Sequence, residues 1–180
     1  MTGPDERVLL EAPATAELAR VFGDGGHATT ALALELLEAS LAARPDARVL
    51  DAGAGTGVLA ERALAAGARE VVAIDREVEA IDLVRVRAPA ARALCRDLRA
   101  GLRDLGRFDV VVANLPVPEL CACADSLANA APGGRIIASG MPLVFARRVE
   151  RALVAAGLAV TARRARLGWC ALVAAPQLST

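Results

Sequence analysis

"RVLDAGAGTGVLAERAL", residues 48–64, passes from a β-rich run through three alternate glycines into a helical pattern. The strand carries Asp51 near its end, and Gly53, Gly55 and Gly57 separate it from a helix starting near residue 57. Glycine reaches backbone angles closed to other residues and leaves room for a ligand against the main chain. A strand–glycine turn–helix unit opens an α/β sheet of the kind that binds ligands beyond the carboxyl ends of its strands. Two details narrow the ligand. The third small residue of a dinucleotide fingerprint would fall on Val58, which suits close helix–strand packing poorly. The lysine of a triphosphate-binding loop is missing, because the chain contains no lysine at all.

Working outward, short apolar runs alternate with longer helical patterns. The expected strands are 48–52, 70–75, 92–97, 108–114 and 134–140, with helices at about 57–66, 77–87, 118–131 and 142–156. Several strands are continuous apolar runs, as strands buried on both faces require. This alternation implies right-handed crossovers and a parallel sheet covered by helices on both sides. The end of the chain differs: 158–165 and 169–175 read as a hairpin turning near Gly168, which sets one strand antiparallel to its neighbour. The fold class is therefore α/β, a doubly wound and mostly parallel sheet with a C-terminal antiparallel hairpin.

The chain's 180 residues fit one domain, expected to run over 1–180 with residues 1–20 as an arm or short helix. Apolar residues make up 55% of the chain, which excludes a disordered composition. No apolar run reaches the ~18 residues of a membrane span, and the opening lacks a signal-peptide pattern, so a soluble cytoplasmic protein without membrane partners is expected. The formal net charge is zero, which gives no electrostatic case for nucleic acid. Cys95, Cys121, Cys123 and Cys170 lack metal-site spacing and are expected to be reduced, buried thiols; no metal site is expected.

Acids mark the same sheet edge. Asp75 ends the second strand about 20 residues after the glycine loop, where a carboxylate can accept from a ribose diol. Asp97 follows the third strand and suits an exocyclic amine of adenine. Arg76 and Leu98, next to these acids, belong to the same candidate set. Acids at three strand ends (Asp51, Asp75 and Asp97) fit a ligand with cationic centres better than a pyrophosphate. S-adenosylmethionine is such a ligand.

The D-x-G-x-G-x-G run, the acid ending the second strand and the terminal hairpin together resemble the class I methyltransferases. That resemblance implies seven strands in the order 3-2-1-4-5-7-6, with the seventh antiparallel, and S-adenosylmethionine as cofactor. A second stretch, "FGDGGHATTALALELLE" (22–38), resembles the F-G-T-G-x-H-x-T-T motif of the ribosomal protein L11 methyltransferases, the PrmA type, which methylate protein amines. Phe22, Gly23, Gly25, His27, Thr29 and Thr30 match it in place and spacing, while Asp24 and Ala28 depart from it. By itself the stretch reads as a helix start capped by Thr29 or Thr30, with an apolar stripe of Ala31, Leu34, Leu37, Glu38 and Leu41. The resemblance implies instead a loop folded over the cofactor, with Thr29 or Thr30 near its methionine end.

"GWCALV" resembles the final strand of that family, and Asn114 stands where class I enzymes meet the transferring methyl. In "NLPV" it is also similar to the N-P-P-Y motif of amide and base methyltransferases. Leu115 and Val117 replace the first proline and the aromatic residue, which speaks against a stacked base as acceptor. Asn114 is the first candidate for contact with the acceptor, and His27, the only histidine, is the second, as base or as loop-ordering residue. The expected acceptor is an amine of a protein or peptide. About 20 residues precede the motif, leaving no room in this chain for the family's separate substrate-gripping domain. Two other readings therefore stay open: a small-molecule methyltransferase, and a cofactor-binding subunit without catalysis. Arg163, Arg164 and Arg166 read as a charged edge strand.

Overall fold

The computed structural model describes residues 26–177; the arm expected over 1–20, and Phe22, Gly23 and Gly25, lie outside the described residues. The elements follow in the order α1 (Ala28–Ala42), β1 (Arg48–Ala52), α2 (Val58–Ala65), β2 (Glu70–Asp75), α3 (Val78–Arg87), β3 (Arg92–Cys95), β4 (Val110–Asn114), α4 (Val117–Ala122), α5 (Ala124–Ala130), β5 (Arg135–Pro142), α6 (Ala146–Ala155), β6 (Leu158–Arg166) and β7 (Trp169–Pro176). Short 3-10 turns occupy Leu98–Ala100, Arg103–Leu105 and Leu143–Phe145. The seven strands form one sheet in the order β3-β2-β1-β4-β5-β7-β6. Strands β1 to β5 are parallel, and β7 is antiparallel to β5 and to β6. The winding reverses between β1 and β4, so the C-terminal ends of those strands form the crevice where α/β sheets bind ligands.

Strand alternation explains why the central runs are apolar throughout. Val49, Val71, Val110, Val112 and Ile137 face the layer of α1, α2 and α3. Leu50, Val72, Val111 and Ile136, on the opposite face, pack with Leu120, Leu127, Val149 and Leu153 of α4, α5 and α6. At the N-terminal edge of the sheet, Arg48 lies over the Phe108 ring and pairs with both carboxylate oxygens of Glu70 at 2.6 and 3.0 Å. β6 is one of the two edge strands, and two of its arginines are engaged outward: Arg163 with Glu150 and Arg166 with Glu35. Such charges discourage a further strand from pairing.

Four expectations need correction. The start of α1 is capped by His27, whose Nδ1 accepts the Thr29 N–H; Thr29 and Thr30 lie inside the first turn and are buried. The buried face of α1 is Leu32, Ala33, Leu36, Leu37, Ser40 and Leu41, not the stripe through Ala31, Leu34 and Glu38. Hydrogen bonds from Asn114 and Ser139 hold the Thr30 hydroxyl and the Thr29 carbonyl against the sheet, while Leu34 is only partly buried. The helix expected over 118–131 is two helices, because Cys123, at φ −104° and ψ 5°, leaves the helical region between α4 and α5. Cys95 is exposed at the end of β3, while Cys123 and Cys170 are buried as expected and all four thiols are free. Among the described residues no helix is long and apolar enough to cross a membrane.

Candidate functional site

The site begins where β1 gives way to the glycine loop. The N–H groups of Gly53 and Ala54 donate to the Ile74 carbonyl of β2 at 2.8 and 3.0 Å, folding the loop back over the sheet edge. Gly53 and Gly57 have φ of 79° and 76°, in the left-handed region that favours glycine. A side chain would be crowded at both. A Cβ on Gly57 would stand 3.0 Å from the Val84 backbone of α3, and one on Gly53 would push against the end of the Leu115 side chain. Leu115 thus roofs the loop.

Asp75 braces this loop. Its Oδ2 accepts the Gly55 N–H at 2.9 Å and its Oδ1 accepts the Glu77 N–H at 3.1 Å. Each oxygen keeps a lone pair for a further donor. Asp97 caps the 3-10 turn that follows β3 by accepting the Arg99 N–H at 2.8 Å. Among the described residues neither carboxylate pairs with a cation, whereas the nearby Arg76 and Arg96 are matched by Glu77 and Asp104. Asp75, Arg76, Asp97, Leu98, Leu115 and Pro116 help to line one cleft of about 310 Å³ beside the loop.

Asp51 lies elsewhere: it is fully buried beneath the loop and does not line that cleft. Its Oδ2 accepts the Ala60 N–H at 3.0 Å, and its Oδ1 has no hydrogen-bond partner among the described residues. Burial in this low-dielectric pocket pushes its carboxyl up to about 7, helped by the charge of Asp75 and opposed by the Ala60 hydrogen bond.

At the ends of β4 and β5 the first turn of α1 is tied down. Asn114 Nδ2 donates to Thr30 Oγ1 at 3.2 Å, and the buried Ser139 hydroxyl donates to the Thr29 carbonyl at 2.8 Å. His27 Nδ1 lies 2.8 Å from Thr29 Oγ1, and the ring meets Trp169 edge-on, with centroids 4.6 Å apart. Pairing between β5 and β7 shifts register between Ala138 and Met141, so Ser139 and Gly140 sit in an irregularity beside the site. Gly140, at φ 93°, passes so close to Leu115 that a Cβ would clash with the Leu115 carbonyl oxygen.

Two groups of expected residues are brought to one strand edge: Gly53, Gly55, Gly57, Asp75, Arg76, Asp97 and Leu98 at one end, and His27, Thr29, Thr30 and Asn114 at the other. Ser139, Gly140 and Trp169 were not singled out from the sequence, and Leu115 only as the residue in place of a proline. A glycine inside an apolar strand run, as in "IIASGMP", is the one local sign of an irregular strand there. The other three act through contacts distant in sequence.

Comparison with known proteins agrees with this geometry. Residues 17–177 match the family model described as ribosomal protein L11 methyltransferase (PrmA). The chain is 42% identical over 163 residues to a ribosomal protein L11 methyltransferase of Pelotomaculum thermopropionicum, covering 85% of this chain and 51% of that protein. It is 36% identical over 168 residues to the one from Symbiobacterium thermophilum, covering 91% and 54% respectively. The chain thus spans about half the length of these curated relatives. Among solved structures, the ribosomal protein L11 methylase of Lactobacillus delbrueckii subsp. bulgaricus superposes with a TM-score of 0.76 at 24% identity, covering 85% of this chain and 81% of that one. The strand order, the glycine loop and the extent of these matches agree: this chain belongs to the ribosomal protein L11 methyltransferase (PrmA) family.

Proposed function

We propose that this chain transfers a methyl group from S-adenosylmethionine to an amine of a protein, and that ribosomal protein L11, the protein in its relatives' names, is the acceptor to test first. The observation that carries the reading is Asp75, which holds the glycine loop through Gly55 while facing the cleft as a carboxylate without a cation. The residues present fit the cofactor. The turn at Gly53 and Gly57 leaves backbone bare, and Asp75 and Asp97 keep acceptor capacity.

Bound there, S-adenosylmethionine would supply a methyl group activated by its sulfonium. The protein's share is then positioning and electrostatics. Asp75 would accept the ribose hydroxyls, with Arg76 beside it. Asp97 and Leu98 would hold the adenine, and Thr29, Thr30 and the loop of Phe22, Gly23 and Gly25 the methionine end. Asn114 spends its amide on Thr30, which leaves its Oδ1 to accept an N–H from the acceptor amine and orient it. His27, engaged through Nδ1 with Thr29, orders the start of α1 as a positioning residue rather than acting as the base. The amine reacts in its neutral form, which an apolar, desolvating approach favours.

The test is transfer of radiolabelled methyl from S-adenosylmethionine to purified L11, with the modified atom located by mass spectrometry. Label on amine nitrogens is expected, and Asn114→Ala should lower kcat more than it raises KM. Cofactor binding without label on any amine of L11 would refute the acceptor.

A further inference from the structure

A second cleft of about 480 Å³ adjoins the first, and Pro116 lines both. Its other walls include Gly140, Pro142, Phe145, Arg148 and Trp169. Gly140 lies in β5 and Pro116 follows β4, the strands that hold the start of α1, while Phe145 and Arg148 come from the turn and helix α6 that follow β5. Pro116 lies two residues after Asn114, Gly140 follows Ser139, and Trp169 packs against His27. The two clefts therefore share a wall at Pro116, two residues beyond Asn114.

The second cleft differs in chemistry. Arg148 is the single charged residue in its lining, and among the described residues it has no carboxylate partner. Its neighbours on α6 leave the charge uncompensated, since Arg147 and Arg151 also lack partners among the described residues and Glu150 is taken by Arg163. The remaining lining is apolar, and Phe145 within it ends the turn Leu143–Phe145, whose three side chains are 45%, 83% and 46% exposed. Contiguous exposed apolar side chains mark interaction surfaces. Exposed apolar side chains on the turn that supplies Phe145 fit a chain extending beyond the cleft better than a compact metabolite.

We infer that this cleft receives the methyl acceptor as an extended apolar peptide segment, and that Arg148 selects segments with a carboxylate near the reacting amine. The inference rests on the methyltransferase reading and adds to it the chemistry of the acceptor. Pro116 separates the two ligands, Phe145 and Trp169 sandwich the segment's apolar side chains, and Arg148 is a specificity residue at the rim. An apolar cleft also strips water from the amine, which favours its neutral, nucleophilic form.

Trp169 is the only tryptophan of the chain, so its emission reports occupancy of this cleft directly. The probes are C-amidated pentapeptides of alanine and leucine with a free amino end. Each carries one aspartate at position two, three, four or five, and each has an asparagine counterpart. They are titrated into the full chain saturated with S-adenosylhomocysteine, whose own binding is measured separately by calorimetry. In the wild type at least one aspartate peptide should shift Trp169 emission with about tenfold or greater preference over its asparagine twin, the loss expected for a charge-assisted hydrogen bond. Arg148→Ala should level the pair and Arg148→Lys should keep part of the preference, with affinity for S-adenosylhomocysteine unchanged in both. Equal binding of the twins in the wild type, a preference surviving in Arg148→Ala, or no emission change with any peptide while S-adenosylhomocysteine binds would overturn the inference and leave the methyltransferase reading standing. Failure of S-adenosylhomocysteine to bind would remove both.

Discussion

Asp51 is where the structure makes its most quantitative demand. In the folded chain its carboxyl is buried with one oxygen unpartnered and titrates at about 7, while an unfolded aspartate titrates at about 3.9. Between those values the folded state holds a proton that the unfolded state has lost. Stability from this group is therefore fully present below the unfolded value and is lost as pH rises through about 7. Integrating that linkage from pH 5 to pH 8 gives a loss of roughly 3 kcal/mol. In a domain of this size that is a fall in Tm of about 6–12 °C. Asp51→Asn removes the titration and still offers an oxygen to the Ala60 N–H. Its new amide costs stability at every pH alike, so the slope, not the level, isolates the ionisation. Urea unfolding followed by far-UV circular dichroism at pH 5 and pH 8 measures both proteins. The wild type should lose roughly 3 kcal/mol more than Asp51→Asn over that interval. Parallel losses in the two proteins would show that Asp51 is hydrated or paired in solution, and the argument from its burial would fail.

Asp75→Ala removes acceptors for the Gly55 and Glu77 N–H groups and should weaken S-adenosylhomocysteine binding by about 1.5–3 kcal/mol, read by calorimetry on a protein with native circular dichroism. Gly140→Ala should destabilise by several times the ~1 kcal/mol expected for Gly67→Ala, because both glycines have positive φ but only Gly140 is pressed against backbone; comparable unfolding midpoints would refute the close approach. Ser139→Ala leaves the Thr29 carbonyl without its buried donor and should cost about 1–3 kcal/mol, with faster hydrogen exchange confined to the start of α1. Adding S-adenosylhomocysteine to the wild type should slow exchange from Gly26 to Thr30 and leave the β6–β7 hairpin unchanged; equal rates would return this stretch to a plain capped helix start.

The sheet was legible because its central strands are apolar on both sides and its turns carry glycine. Runs such as "DVVVAN" and "EVVAID" have no other comfortable place than the middle of a parallel sheet. The glycine loop and Asp75 were legible because their chemistry is local, a tight turn and a strand-end acid. Helix α1 was misread for the opposite reason: alanine and leucine occur on every side of it, so its buried face is chosen by Asn114 and Ser139, far away in sequence. The break at Cys123 and the irregularity at Ser139–Gly140 leave little trace in composition, since both sit inside apolar runs. Asp51 was placed correctly next to the loop, but its complete burial depends on α2 folding back over it through Ala60. Trp169 became part of the site only when the terminal hairpin returned it to His27.

The central claim is that the crevice at the ends of β1, β2 and β4 binds an adenosyl cation rather than a dinucleotide. Isothermal titration of the purified chain with S-adenosylhomocysteine, S-adenosylmethionine and NAD tests it most directly. Both adenosyl compounds should bind one to one with micromolar dissociation constants, about −8 kcal/mol, and NAD should give no heat. Binding of NAD with no heat from either adenosyl compound would contradict the account.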